Sequence, residues 1–184
     1  MPEAVGMIEC SSIAIGHEAE DAMLKASDVD LLVARTICSG KYICIVGGDV
    51  AAVQASVEAG RAAANGYLID EMIVPNVHPG VFPALANCVP LSEEAVRALG
   101  VVETFSASSI VECADAAAKA ADVTLFRIHV AMAIGGKGFL MMTGDVSAVR
   151  ASVEAAADVA ARHGILVARS VIPNPRREVF REYI

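Results

Sequence analysis

The chain has 184 residues, with 14 Lys and Arg against 22 Asp and Glu and a formal net charge of −8. Hydrophobic residues make up 55% of it while aromatics reach only 4% and Trp is absent, so the core must be built from Ala, Val, Ile, Leu and Met, and an unfolded coil is excluded. The acidic balance, without any run of Lys or Arg, argues against a phosphate-binding surface and so against nucleic acid as a partner.

Residues 5–10 predict a short apolar strand, and residues 13–26 a helix with Glu18, Asp21 and Lys25 on its wet side. A second strand is expected over 29–37, a tight turn at Cys38-Ser39-Gly40, and a third strand over 42–46, where β-branched and aromatic residues gather. Asp49 follows two glycines and precedes Val50, Val53, Val57 and Ala64, which reads as an N-cap feeding an apolar stripe; Gly66 supplies the stop. Gly60 lies on that stripe, where a missing side chain permits close packing. A fourth strand over 68–74 completes a βαββαβ unit, the ferredoxin-like order.

The next uncharged stretch, residues 72–92, is long enough for a membrane span, but Pro75, Pro79, Pro83 and Pro90 exclude a membrane helix. Residues 1–4 carry neither a basic leader nor an apolar run, so a secretory signal is not expected and a cytoplasmic protein is. Five cysteines, an odd number without a CxxC pair, fit the same reducing compartment.

The whole plan then recurs. Gly6 to Glu9 reappears as Gly100 to Glu103, and Glu18, Asp21, Ala22, Lys25 and Ala26 as Glu112, Asp115, Ala116, Lys119 and Ala120, at a constant offset of 94. The offset becomes 96 for Gly40-Lys41 against Gly136-Lys137 and for the segment from Gly48 to Ala59 against Gly144 to Ala155, and 98 for Pro75-Asn76 and Val81-Phe82 against Pro173-Asn174 and Val179-Phe180. Matches in this order mean a tandem duplication, with a first domain over 1–90, a second over 91–184 and the seam near 87–99. The expected fold is α+β, two ferredoxin-like domains in tandem. Two residues are inserted in the second copy between Val123 and Lys137, and there Ile134 stands opposite Cys38.

No catalytic constellation is visible. His17, His78, His129 and His163 are scattered, with no HExxH and no GxSxG, so they read as surface or structural residues. An Asp at each Gly-Asp helix start would repel a phosphate. Cys10, Cys44 and Cys113 read as core residues, Cys88 sits at the seam, and Cys38 lies in a turn that hides a thiol poorly. One thiol cannot hold a zinc ion or an iron–sulfur cluster, which take about four ligands, but a symmetric ring of three chains would bring three copies to one axis. Asp21 with Lys25 and Asp115 with Lys119 are i,i+4 pairs, the ordinary pattern of a wet helix face.

The repeat, the Asp-Ala-x-x-Lys-Ala helices, the segments from Thr36 to Lys41 and from Gly135 to Lys137, and the Gly-Asp-Val-x-Ala-Val helix starts together resemble the tandem-domain, trimer-forming shell proteins of bacterial microcompartments. Among these, the iron–sulfur branch found in propanediol-utilisation microcompartments is the nearest in pattern. The resemblance implies a structural protein, not an enzyme: a homotrimeric, pseudo-hexameric tile whose turns ring a pore and which packs with other shell proteins. It further implies one 4Fe-4S cluster per trimer, ligated by Cys38 of each of three chains, that passes electrons across the shell to or from a redox enzyme. Ser39, Gly40, Ile134, Gly135 and Gly136 would line the pore rim, and Lys25 and Lys119 the tile edge. Asn76 and Asn174 stand where the family often carries Arg between prolines, with Arg176 and Arg177 close by in sequence. A metabolite pore without a cluster, and a small-molecule-binding ferredoxin-like protein, are the alternatives.

Overall fold

Strand alternation puts Gly6, Ile8 and Cys10 on one face of the first strand and Val5, Met7 and Glu9 on the other. In a computed structural model, which describes residues 2–87, 89–92 and 94–183, the first repeat runs β1 (Ala4–Cys10), α1 (Ile13–Ala26), β2 (Asp30–Ile37), β3 (Lys41–Gly48), α2 (Val50–Ala64) and β4 (Leu68–Val74). The second runs β5 (Ala98–Thr104), α4 (Ser109–Ala120), β6 (Val123–Val130), β7 (Gly138–Gly144), α5 (Val146–Arg162) and β8 (Leu166–Ile172). Each forms a four-stranded antiparallel sheet, ordered β2-β3-β1-β4 and β6-β7-β5-β8, as the βαββαβ reading requires. Between the repeats lies a short helix α3 (Val81–Leu85), and a 3-10 turn (Arg177–Phe180) follows β8. Both were missed as elements, although the repeated Val-Phe pair falls in each; pieces this short carry no helical period.

Helix starts and stops follow the local chemistry. Asp49 caps α2 by accepting the Ala52 N–H at 2.8 Å, and Ser12 caps α1 through the Ile15 N–H at 3.4 Å. The turn out of α2 is made by Asn65 at φ 33° ahead of Gly66 at φ 79°, so the left-handed stop begins one residue earlier than the glycine suggested. The Asp145 side chain makes no cap bond to its helix, although its backbone carbonyl accepts the Val149 N–H at 2.9 Å; the carboxylate pairs with Arg97 at 2.5 Å instead.

Small residues set how closely the layers approach. A Cβ on Gly60 would sit 2.5 Å from Met23 Cγ, and one on Gly16 would sit 2.5 Å from Tyr42 Cβ, so the α1–α2 and α1–sheet contacts depend on bare backbone. The first core gathers Ala4, Ile8, Cys10, Ala19, Met23, Cys44, Val46, Val53, Val57 and Ala64.

The chain divides into two compact units, Met1–Val77 with Ala131–Gly136, and His78–Val130 with Lys137–Ile184. The β6–β7 turn thus belongs with the first unit. On the sheet faces turned away from the helices the repeats differ. Met7, Ile43 and Ile45 of the first sheet are fully buried, whereas their repeat equivalents Val101, Phe139 and Met141 are only partly buried, Val101 and Met141 against Leu91, Leu99, Phe126 and Phe180.

Candidate functional site

Strands β2 and β3 end in register at Ile37 and Lys41, leaving Cys38, Ser39 and Gly40 to turn the chain. Gly40 takes φ 78°, with nothing within 4 Å of where a Cβ would be, so glycine serves here for backbone conformation and not for space. Ser39 and Gly40 are exposed and Cys38 is half-buried. Within the same unit, the Ala131–Gly136 turn comes against this thiol, and the Ala133 N–H donates to Cys38 Sγ at 3.2 Å. That turn passes through the left-handed region at Ala131, Ala133, Gly135 and Gly136, with φ of 57°, 61°, 68° and 85°. Each Ala there costs about 1 kcal/mol against a right-handed backbone. Ile134 is half-buried and Gly135 exposed, so the five rim candidates lie in two turns of which one touches the thiol.

Sequence reasoning matched Glu9 with Glu103 and Lys41 with Lys137, but did not pair them. The structure does. Lys41 Nζ meets Glu9 at 2.7 Å and Lys137 Nζ meets Glu103 at 2.5 Å, tying the exit of each turn to the neighbouring strand. Ala133 was also missed, because a backbone donor leaves no mark in a sequence.

The remaining described cysteines are core residues, as expected. Burial pushes the thiols of Cys44 and Cys113 up to about 12, helped by Glu20 near the first and Glu112 near the second; Cys10 is raised by burial and then by Glu9. Thiols held protonated this way are poor metal ligands. Cys88 lies outside the described residues. The histidines make local contacts, two of them at the exposed surface: His17 contacts Glu20 at 3.1 Å and His163 approaches Glu112 at 3.6 Å, while His78 Nδ1 accepts the Gly80 N–H at 3.2 Å and His129 stacks on Phe139 at 4.9 Å.

Among the described residues no three His, Cys, Asp or Glu side chains stand together as a metal site. Among the described cysteines, Cys38 alone presents its sulfur outside a core. This fits a four-iron group only when several copies of the turn share it. A polar cleft of about 260 Å³, lined by Glu94, Arg97, Asp122, Thr124, Thr143 and Asp145, has its Arg97 and Asp145 paired with each other. A second hollow of about 290 Å³ lies on the second sheet between Val101, Phe139 and Ser170 and is mainly apolar. Neither assembles an acid–base pair or a nucleophile with its base.

The i,i+4 pairs both form, Lys25 with Asp21 at 2.5 Å and Lys119 with Asp115 at 2.6 Å. They are not alike. Asp21 is 61% exposed, but Asp115 is 11% exposed and its second oxygen accepts the His78 N–H at 2.8 Å. The wet-face reading holds for the first pair and gives way in the second, where the segment after β4 packs onto α4.

Each four-stranded unit matches one BMC domain model, over residues 4–77 and 98–175, and the chain belongs to the BMC domain family. The protein is a tandem BMC-domain shell protein of bacterial microcompartments, a structural component and not an enzyme. It is 44% identical over 184 residues to the bacterial microcompartment shell protein PduT of Citrobacter freundii, which covers 100% of this chain and 99% of that one. A crystal structure of a microcompartments protein from Desulfitobacterium hafniense DCB superposes with a TM-score of 0.94 at 48% identity, over 98% of this chain and 99% of the other. The carboxysome assembly protein CcmO of Synechocystis sp. PCC 6803 is 32% identical over 183 residues, 92% of this chain and 61% of its own length. Among the described residues no helix is long and apolar enough to cross a membrane.

Proposed function

We propose that three copies of this chain form a pseudo-hexameric shell tile in which Cys38 of each copy ligates one shared 4Fe-4S cluster at a central pore. The observation that carries this reading is the contrast among thiols: Cys38 is presented in a turn while Cys10, Cys44 and Cys113 are buried. The similarity over the whole chain to the microcompartment shell protein PduT supports the shell tile. Three thiolates leave one of four irons without a protein cysteine, open to water or an external ligand. A cluster of this kind takes up and releases single electrons, which would let the tile pass charge across the shell to or from a redox enzyme.

The apolar surface that Val101, Phe139 and Met141 leave uncovered, although Val101 and Met141 pack against Leu91, Leu99, Phe126 and Phe180, supports the trimer, because the equivalent residues of the first repeat are fully buried and apolar sheet surface is expensive to leave in water. In the tile, domains 1–90 and 91–184 alternate around the axis. Ser39, Gly40, Ile134, Gly135 and Gly136 line the pore rim, and Lys25 and Lys119 face neighbouring tiles of the same or other shell proteins.

Anaerobic iron and sulfide analysis of the purified oligomer tests the reading. Four irons per three chains are expected, with loss of cluster absorption and retention of the oligomer in Cys38→Ser, since a serine hydroxyl stays protonated near neutral pH and binds iron poorly. A full cluster signal in Cys38→Ser places the ligand elsewhere, and a colourless, iron-free wild type leaves a pore with a bare rim thiol.

A further inference from the structure

The geometry points to a division of labour between the two turns: the first supplies the ligating sulfur, and the second, through the Ala133 N–H, sets the reduction potential of the cluster held by that sulfur. This rests on the iron–sulfur reading of Cys38 given above and extends it to a residue with no ligating side chain.

The two turns have diverged more than the rest of the repeat. The β2–β3 turn, three residues between the paired Ile37 and Lys41, carries a thiol, whereas the β6–β7 turn, seven residues between the paired Val130 and Gly138, carries Ile134 and two glycines. The last register pair of β6 and β7 is Val130 with Gly138, so Ala133 lies beyond the ladder and its N–H is not engaged in strand pairing. With Ala131 and Ala133 both in the left-handed region, that N–H is delivered to Cys38 Sγ at 3.2 Å.

A sulfur ligand keeps lone pairs after it binds a metal, and one added electron raises the negative charge carried by the ligating sulfurs. A fixed N–H dipole aimed at such a sulfur therefore stabilises the reduced form more than the oxidised form and moves the potential in the positive direction. A backbone amide does not titrate, so its contribution persists across pH. Threefold symmetry would supply one such donor to each of the three sulfurs.

The test removes that single hydrogen. Replacing Ala133 by lactic acid, through suppression of a nonsense codon, turns the amide into an ester and leaves the side chain unchanged; Ala133→Gly keeps the N–H and serves as the control. Anaerobically reconstituted oligomers are compared for iron and sulfide content, for midpoint potential by dye-mediated titration, and for coupling of an exchangeable proton to the reduced cluster by electron–nuclear double resonance. Equal iron and sulfide in all three proteins, a negative shift of the potential in the ester alone, and loss in the ester alone of one exchangeable coupling beyond any from water on the fourth iron are expected. Should the ester not fold, replacing residues 132–136 by Ala-Ser-Gly shortens the turn by two residues and takes away Ala133 and the left-handed backbone that aims its N–H, and the same negative shift is expected. An unchanged or more positive potential with full iron content overturns the tuning role while leaving Cys38 as ligand. A wild type without iron, or a loaded Cys38→Ser, overturns the ligand reading itself and the tuning role with it.

Discussion

The duplication supplies its own control for the worth of a single carboxylate. Replacing Asp115 by Ala removes the acceptor of the His78 N–H and the partner of Lys119, at 2.8 and 2.6 Å, from a side chain only 11% exposed. A hydrogen bond to a charged group contributes about 1.5–3 kcal/mol, and an i,i+4 pair about 0.3–0.5 kcal/mol. Losing both strands a half-buried amide and should cost about 2 kcal/mol. The equivalent change, Asp21→Ala, removes an ion pair whose partners are 61% and 74% exposed, so about 0.3–0.5 kcal/mol is at stake. Helix propensity gains up to ~0.7 kcal/mol from Asp to Ala at either site and cancels in the comparison. Urea unfolding followed by circular dichroism, at matched protein concentration so that association contributes equally, should place the Asp115→Ala midpoint well below wild type and the Asp21→Ala midpoint at or slightly above it. Asp115→Asn, which keeps an acceptor for His78, should recover most of the difference. Equal midpoints for the two alanine variants would refute the anchoring of the segment after β4 by Asp115.

Lys25→Gln with Lys119→Gln should leave the oligomer intact and weaken its lateral association into sheets, seen by electron microscopy; sheets indistinguishable from wild type would return both lysines to intrahelical pairing with Asp21 and Asp115. The buried thiols predict an alkaline limb of instability. Cys44 and Cys113 keep their protons in the folded state up to about 12 but lose them near 9 when unfolded, so the folded state binds more protons in that window and stability falls as pH rises from about 9 towards 12. Cys44→Ala with Cys113→Ala should be less stable at neutral pH yet show a flatter decline between pH 9 and 11 in urea titrations. Maleimide labelling of the native, cluster-free protein at pH 7, read by peptide mass spectrometry, should modify Cys38 ahead of Cys10, Cys44 and Cys113; equal labelling would contradict their burial.

Much of this protein was written in local pattern. The Asp49 cap, the 13–26 helix and the alternating strands follow from residue chemistry within a few positions, and the 94- and 96-residue offsets expose the duplication without any three-dimensional information. Cys38 stood out for the same reason: a turn between two strands rarely hides a side chain, while a cysteine alternating with Ile43 and Ile45 does get buried. What the sequence left open depends on residues far apart in the chain. That Asp115 is anchored and Asp21 is not could not be read from two identical Asp-Ala-x-x-Lys motifs, because the difference comes from the His78 amide, 37 residues away. The pairing of Glu9 with Lys41 and of Glu103 with Lys137 arises only when the strands align. The Ala133 donor, 95 residues from Cys38, belongs to a backbone group that every residue except proline shares. Sequence decides which chemistry each position carries; the tertiary fold decides which of those groups meet, because contact between distant segments is set by strand register and by the path each turn takes.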